Sequence, residues 1–256
     1  MDKKLIAERF ARARDTYSRE ARVQQQVAEK MMGLLMKHTA LDKFRRIVEF
    51  GCGTGSYSRI LKHRLKPEYL LLNDLCEEMK ECLGDLEIHT GENEIQFLPG
   101  DAEEMDFPAG TDLITSCSTL QWFTDPEKFF AHCHSFLADG GYLAFSTFGL
   151  ENMHQIRTLT GHGLDYFPVE TLKTWLAPYF EIIYMEEEII TLPFSTPLEV
   201  LRHLKQTGVT GTEKKMWTRG RLQAFNNQYT ELFSMDDGNV TLTYHPIYII
   251  VQKKNR

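Results

Sequence analysis

The chain has no pair of cysteines in C-x-x-C spacing. Its five cysteines, Cys52, Cys76, Cys82, Cys117 and Cys133, are an odd and scattered set. That argues against a disulfide framework or a structural zinc site and fits a reducing cytosol. The nine histidines show no H-E-x-x-H or similar ligand spacing. His132 and His134 lie two apart, so on a helix they point in different directions, and no metal site is expected. No apolar run approaches the ~18 residues that a membrane span needs. The first residues, MDKKLIAERFARARD, are charged and contain no apolar signal core. A cytoplasmic chain without a membrane partner is expected. Positive charge is in deficit, with 29 Lys and Arg against 36 Asp and Glu and a net charge of −7. Nonspecific nucleic-acid binding is therefore disfavoured. Nothing repeats, no low-complexity linker appears, and the default expectation is a monomer.

What is present suits a soluble globular protein. The 256 residues are 42% hydrophobic and 25% charged, enough for one large domain or a core domain with an insertion. Leu5, Ile6, Phe10 and Ala13 recur at helical spacing, as do Val23, Val27, Met31, Leu34 and Leu35. Residues 1 to about 40 therefore read as two helices, with the break expected at Asp15-Thr-Tyr-Ser. From residue 44 strands and helices alternate. Strands are expected at Ile47–Phe50, Tyr69–Asn73, Ile95–Pro99, Thr111–Ser116 and Tyr142–Ser146. A helix is expected around Cys76–Leu83. Another, Pro126–Leu137, has Asp125 as its N-cap and stops at Asp139-Gly-Gly. Helical stretches follow between 150 and 180, the clearer at Pro168–Leu176. A long sixth strand, Phe180–Leu192, carries an exposed acidic centre, Glu186–Glu188. Amphipathic helices at Pro197–Gly208 and Arg221–Phe233 precede a final strand, Leu242–Val251, whose Pro246 suits an edge or irregular position. Alternation of this kind predicts an α/β fold: a mostly parallel seven-stranded sheet with helices on both faces. The expected plan is one domain over 1–256. It has an N-terminal helical lid (1–40), a binding core (44–150) and substrate-side helices with closing strands (151–256), including an insertion at about 197–235.

The stretch EFGCGTGSYS, residues 49 to 58, is where the chemistry begins. An apolar strand ending at Glu49 and Phe50 runs into Gly51, Gly53 and Gly55, and a helix-compatible segment follows. Glycine there permits φ > 0 and lets a ligand lie against bare main chain. The spacing G-x-G-x-G differs from the dinucleotide fingerprint G-x-G-x-x-G, and no Gly-Lys-Ser/Thr follows as a P-loop requires. In open α/β sheets ligands bind at the carboxyl ends of the strands. Four features fall at such ends: the glycine loop, Asn73-Asp74, Asp101-Ala102, and Ser116 to Trp122 (SCSTLQW). Asp74 can accept from both ribose hydroxyls of a nucleoside, and Asp101 can accept from an adenine amino group. A dehydrogenase also places an acid after strand two. The glycine spacing and the second carboxylate, Asp101, favour another cofactor.

The loop and its partners resemble the nucleotide site of the class I S-adenosylmethionine-dependent methyltransferases, with their Rossmann-like fold. The resemblance implies S-adenosylmethionine as cofactor, S-adenosylhomocysteine as product, and a cofactor set of Tyr17, Glu49, Gly51, Gly53, Asp74, Asp101, Ala102, Ser116 and Gln121. RFARARDTYSREARVQQQVAEKM (9 to 31), with Phe10, Tyr17, Ala21 and Gln24, is similar to the N-terminal signature of the malonyl-acyl-carrier-protein O-methyltransferases of biotin synthesis. STLQWFTDP (118 to 126), FSTFGLENMHQIR (145 to 157), LRHLKQTGVTG (201 to 211) and LTYHPIYIIVQK extend that resemblance nearly end to end. Residues around Ser18 and Glu20, and Thr207, depart from the family's pattern. The implied reaction is methyl transfer to the free carboxylate of a malonyl thioester, on acyl-carrier protein or coenzyme A.

A carboxylate is already anionic at neutral pH, so no catalytic base is needed. The positioning candidates are Tyr17, Gln121, Arg157, Arg202 and Lys205. Each of these three cations is equally a solvated position on an amphipathic helix, and Tyr17 and Trp122 are equally core side chains. Seven basic residues lie within the first 22 (Lys3, Lys4, Arg9, Arg12, Arg14, Arg19, Arg22), and a second group is Lys214, Lys215, Arg219 and Arg221. Each group reads first as a solvated helix face with local ion pairs, and alternatively as a docking patch for an acidic carrier. Two alternatives stand beside this reading: a small-molecule carboxyl methyltransferase of the trans-aconitate type, and a non-catalytic cofactor-binding scaffold.

Overall fold

The computed structural model describes residues 2–39, 44–86, 94–209 and 218–254. In chain order the elements are α1 (Lys3–Glu20), α2 (Arg22–His38), β1 (Arg46–Phe50), α3 (Ser56–Leu65), β2 (Tyr69–Asp74), a 3-10 segment (Glu77–Leu86), β3 (Glu94–Pro99) and β4 (Thr111–Cys117). There follow α4 (Pro126–Phe136), β5 (Leu137–Phe148), α5 (His154–Thr160), α6 (Val169–Leu176), β6 (Phe180–Glu187) and β7 (Ile190–Phe194). The chain closes with α7 (Pro197–Gln206), α8 (Arg219–Phe233), β8 (Val240–Tyr244) and β9 (Pro246–Lys253).

Seven strands form one sheet in the order β3-β2-β1-β4-β5-β9-β6. Pairings from β3 through β5 are parallel, and β9 runs antiparallel to both β5 and β6. Successive side chains of a strand face opposite ways, and the two cores show it. Ile47, Leu70, Leu72, Leu113 and Ala144 join one cluster, with α2 and α3 residues. Val48, Phe50, Leu71, Ile114, Leu143 and Phe145 join the other, with α4 and α6 residues. A sheet covered on both faces needs apolar residues at every position, which is why its strands read as continuous apolar runs. The register pairs Phe50 with Asn73 and Asn73 with Leu98, so the carboxyl ends of β1, β2 and β3 finish at one level.

Several elements differ from expectation for tertiary reasons. The first helix runs unbroken through Asp15-Thr-Tyr-Ser, where Thr16 turns its hydroxyl to the carbonyls of Ala13 and Gln206. The break comes at Ala21 (φ −81, ψ 48). The expected helix around Cys76–Leu83 is a 3-10 segment. Asp125 does cap α4, accepting from the Lys128 amide at 3.0 Å. The helix, however, ends at Phe136, and Asp139-Gly-Gly lies within β5 beside an irregular register with β4. The long sixth strand is two: β6 stays in the main sheet, while β7 leaves it to pair with β8. The final strand likewise divides at His245. Pro246 is the first residue of β9, an interior strand, where its missing N–H is tolerated. The acidic centre is engaged: Lys30 of α2 pairs with Glu186 at 2.9 Å and Glu188 at 2.6 Å.

That bridge is one of several ties that make α2 part of the body. Val23, Val27, Ala28, Met31, Met32 and Leu35 are all buried. Met31→Ala removes a fully buried side chain, so a stability loss of about 2–5 kcal/mol is expected in urea unfolding. A loss below about 1 kcal/mol would show that α2 does not share the core.

Candidate functional site

The carboxyl ends of β1 to β4 open on a cleft roofed by α1 and α2. Its walls include Tyr17, Gln24, Glu49, Gly51, Gly53, Asp74, Asp101, Ala102, Ser118 and Trp122. Gly53 sits on the floor at φ +53, and a Cβ there would meet nothing within 4 Å, so the main chain is bare toward the cleft. Gly51 has the opposite reason to be glycine: a Cβ would lie 2.3 Å from Thr119.

Side chains cross-tie the strand ends. Asp74 accepts from the Gly53 amide and from the Cys76 amide, each at 2.8 Å. Each oxygen keeps a lone pair for a ligand hydroxyl. Burial raises the Asp74 carboxyl to about 6, against the lowering effect of these amides. Asn73 donates to the carbonyls of Leu98 and Gly100, both at 3.0 Å, fixing β2 to the turn beyond β3. Asp101 accepts from the Glu103 amide at 3.1 Å and from Lys3 at 3.2 Å. Lys3 also reaches Glu103 and lies 5.0 Å above the Phe123 ring, so the first turn of α1 is drawn over this end of the cleft. Glu49 is 1% exposed, and its Oε2 has no hydrogen-bond partner. Burial pushes its carboxyl up to about 8.

Beyond Tyr17, Ser118 and Trp122 lies a second, smaller chamber. Its walls include Gln121, Asn152, Met153, Tyr166, Val209 and Tyr244. Ser118 stands at the junction in a left-handed conformation, φ +59, unusual for a residue with a side chain. Its amide donates to Ser146 Oγ at 3.1 Å, while its own buried hydroxyl has no partner. Gln121 donates to the Ser118 carbonyl at 2.6 Å and accepts from Thr147 at 3.5 Å. Asn152 donates to the Tyr166 hydroxyl at 2.7 Å, leaving the tyrosine proton to be donated onward. Burial, followed by Asp74 and Cys117, raises the Tyr17 phenol, which stays neutral.

The structure thus brings Tyr17, Glu49, Gly51, Gly53, Asp74, Asp101 and Ala102 to one cleft. It does not bring Ser116 there. That side chain is fully buried below the strand end, and Cys117 and Ser118 take the wall instead. Gln121 lines the inner chamber, not the cofactor cleft. Arg202 and Lys205 are exposed on α7 and line neither space. Arg157 is not on the chamber wall; it donates to the Leu150 carbonyl and sits 5.5 Å from the Tyr166 ring centroid. Lys214 and Lys215 lie outside the described residues. Sequence reading missed Lys3, Tyr166 and Tyr244 as wall residues. Tyr244 and Asn152 fall inside stretches that carried the resemblance, and Lys3 and Tyr166 had no local signal. Among the described residues no cluster fit for a metal ion occurs, and no helix is long and apolar enough to cross a membrane.

Residues 48–145 match a family model described as a methyltransferase domain. A malonyl-[acyl-carrier protein] O-methyltransferase of Bacteroides helcogenes is 63% identical over 273 aligned positions, covering 99% of this chain and all of that one. The protein of the same name from Bacteroides thetaiotaomicron is 52% identical, covering 99% of each chain. In fold, the chain is similar to the N-methyltransferase NodS of Bradyrhizobium japonicum in complex with S-adenosyl-L-homocysteine. That match has a TM-score of 0.53 at 13% identity, covering 89% of this chain and 87% of that one. The cofactor is S-adenosylmethionine, and the cleft fits it. A bare glycine floor, an orphaned acidic Glu49 oxygen and two further carboxylates suit a ligand with an ammonium, a diol and an adenine amine.

Asp74→Ala is expected to weaken S-adenosylhomocysteine binding at least tenfold by calorimetry, and unchanged affinity would remove Asp74 from the ribose site. A pH effect also follows. With Glu49 at about 8 and Asp74 at about 6, both above ordinary carboxyl values, the ligand-free native state holds more protons than the unfolded chain in the intervening window. These two groups therefore stabilise the fold fully at low pH and lose that contribution as pH rises toward 8. Urea midpoints at pH 5 and pH 8.5 should show a smaller fall in Glu49→Gln than in the wild type. An identical fall in both would refute the buried-acid assignment.

Proposed function

The chain belongs to the family of malonyl-[acyl-carrier protein] O-methyltransferases, and from that membership we propose that it methylates the free carboxylate of a malonyl thioester on acyl-carrier protein. The observation that supports this most is an inner chamber that meets the cofactor cleft at Tyr17 and Ser118 and is lined by neutral donors. The names of the curated relatives favour this substrate over a small acid of the trans-aconitate type. The intact set Glu49, Asp74 and Asp101 around a glycine loop speaks against a non-catalytic scaffold.

S-adenosylmethionine supplies an electrophilic methyl on a sulfonium. Asp74 would hold its ribose, Asp101 with Ala102 its adenine, and Glu49 the ammonium end. The remaining tasks fall to the inner chamber: hold a carboxylate oxygen in line with the methyl and keep water out. No proton has to move, because the acceptor is already an anion. A cation placed directly on that anion would lower its nucleophilicity, so binding strength there opposes reactivity. Among the described residues no Lys or Arg lines the chamber. The unpartnered Ser118 hydroxyl and the Tyr166 hydroxyl, itself oriented by Asn152, are the donors for the carboxylate. Arg157 stands behind the Tyr166 ring and acts through it. The first two helices cover both spaces, and Val209, just beyond α7, adds to the chamber wall. Esterification removes a charge from the malonyl end, which suits a product that enters chain elongation as a masked primer. We place that step in cytoplasmic biotin synthesis.

Labelled S-adenosylmethionine should transfer label to malonyl-carrier protein and leave trans-aconitate unlabelled; label on the small acid alone would overturn the assignment. Tyr166→Phe removes one hydrogen bond to a charged group, a loss of about 1.5–3 kcal/mol. The malonyl KM should therefore rise by roughly tenfold or more, with S-adenosylhomocysteine affinity unchanged. If KM does not move, the carboxylate is held elsewhere.

A further inference from the structure

The inner chamber is too small for its ligand as it stands. Its volume is about 20 Å³, room for little more than a water molecule. Its polar wall residues Gln121, Asn152, Tyr166 and Tyr244 are pinned by hydrogen bonds. Tyr244 shares one with His203 at 2.7 Å, Tyr166 accepts from Asn152, and Gln121 is bonded on both sides. The wall between the chamber and the outside is made by Phe10 and Trp122, whose rings meet edge to face at 5.4 Å. Both side chains are half-buried, and both line the cofactor cleft, the chamber and a third space outside.

That third space is a groove of about 230 Å³ beside the start of α1. Leu5, Ile6, Phe10 and Trp122 give it an apolar floor, and Arg9, Asp2 and Gly208 complete its lining. Gly208 lies so near that a Cβ would come within 3.1 Å of the Phe10 ring. The mouth of the cofactor cleft is meanwhile crossed by Lys3, bound to Asp101 and Glu103. An acceptor that must react in a ternary complex needs a route the cofactor does not fill.

We propose that the groove floored by Leu5 and Ile6 receives the thioester arm of the acceptor, and that the Phe10–Trp122 pair is the gate through which its malonyl end reaches the inner chamber. The inference rests on the carrier-bound malonyl reading above. Its occupant is a flexible chain of methylenes and amides that joins its carrier through a phosphodiester. The apolar floor matches the chain. Arg9, the groove's cation beside Asp2, matches the phosphodiester by charge, and Lys4 is exposed on the same helix, where Arg12 pairs with Glu8 at 3.7 Å. Gate opening parts ring contacts of Phe10 with Trp122 and Tyr17, and no hydrogen bond between those rings has to break.

Two variants and two acceptors test it. Leu5→Trp fills the groove outside the cofactor cleft, and Arg9→Glu reverses the charge beside it. The acceptors are malonyl-carrier protein and a truncated malonyl thioester of N-acetylcysteamine, which lacks the phosphodiester. Leu5→Trp should raise KM for both acceptors about tenfold. Arg9→Glu should raise KM for the carrier substrate about tenfold, and at least fivefold less for the truncated one. S-adenosylhomocysteine affinity by calorimetry should match the wild type in both variants, which shows that they fold. If wild-type enzyme methylates malonyl-carrier protein while neither variant shifts its KM by more than twofold, the groove is not the route and the functional reading stands. If the wild type methylates neither malonyl thioester, the functional reading fails and the gate with it.

Discussion

One hydrogen bond, from the Gly53 amide to the Asp74 carboxylate at 2.8 Å, fixes how the loop after β1 meets the end of β2. Its neighbours build on it. The second oxygen of Asp74 shapes the following turn through Cys76, and Asn73 carries the connection to the end of β3. A single dipeptide therefore holds three strand ends at one level, and the cleft is the space above them. The arrangement costs solvation of the carboxylate, visible in its raised pKa, and the amides of Cys76, Gly53 and Leu75 offset part of that cost. It also leaves lone pairs turned toward a ligand. The same group is a structural tie and the proposed ribose contact, so a substitution there alters both.

The acceptor side follows a different electrostatic rule. The cofactor cleft gathers three carboxyl groups, Glu49, Asp74 and Asp101. The chamber next to it is lined by hydroxyls, amides, aromatic rings and apolar side chains. Transfer of a methyl from sulfonium to carboxylate annihilates one charge of each sign, so a site that solvated the ions too well would slow their reaction. In the proposed reaction, neutral donors would orient the anion at lower cost to its reactivity. The left-handed Ser118 is where the two environments meet, and strain of that kind persists only where the surroundings over-determine it. Here its amide is held by Ser146 and its carbonyl by Gln121.

The cofactor half of the site was legible because a parallel sheet aligns its strand ends. Glycine spacing and the positions of Asp74 and Asp101 relative to apolar runs were enough to group them. The acceptor half was less so. Asn152, Tyr166, Val209 and Tyr244 come from separate segments, and only the tertiary fold gathers them. Arg202 and Lys205 were marked by charge, yet α7 turns its apolar face inward and leaves both exposed. The closing strand was read as one because residues 242–251 are almost continuously apolar. His245 divides it because β8 is drawn away to pair with β7. No propensity signals the helix break at Ala21, since alanine is the best helix former. The break places Tyr17 and Gln24, on consecutive helices, along the same walls.

The Phe10–Trp122 contact has a thermodynamic corollary. One pair of rings is a party wall to the cofactor cleft, the inner chamber and the outer groove. A ligand that moves those rings in any of the three spaces changes the free energy of filling the other two. Such coupling is reciprocal: whatever factor the cofactor imposes on acceptor affinity, the acceptor imposes on cofactor affinity. Spent cofactor and methylated acceptor are bound by the same relation, so the order in which products leave is a property of this wall as much as of either pocket.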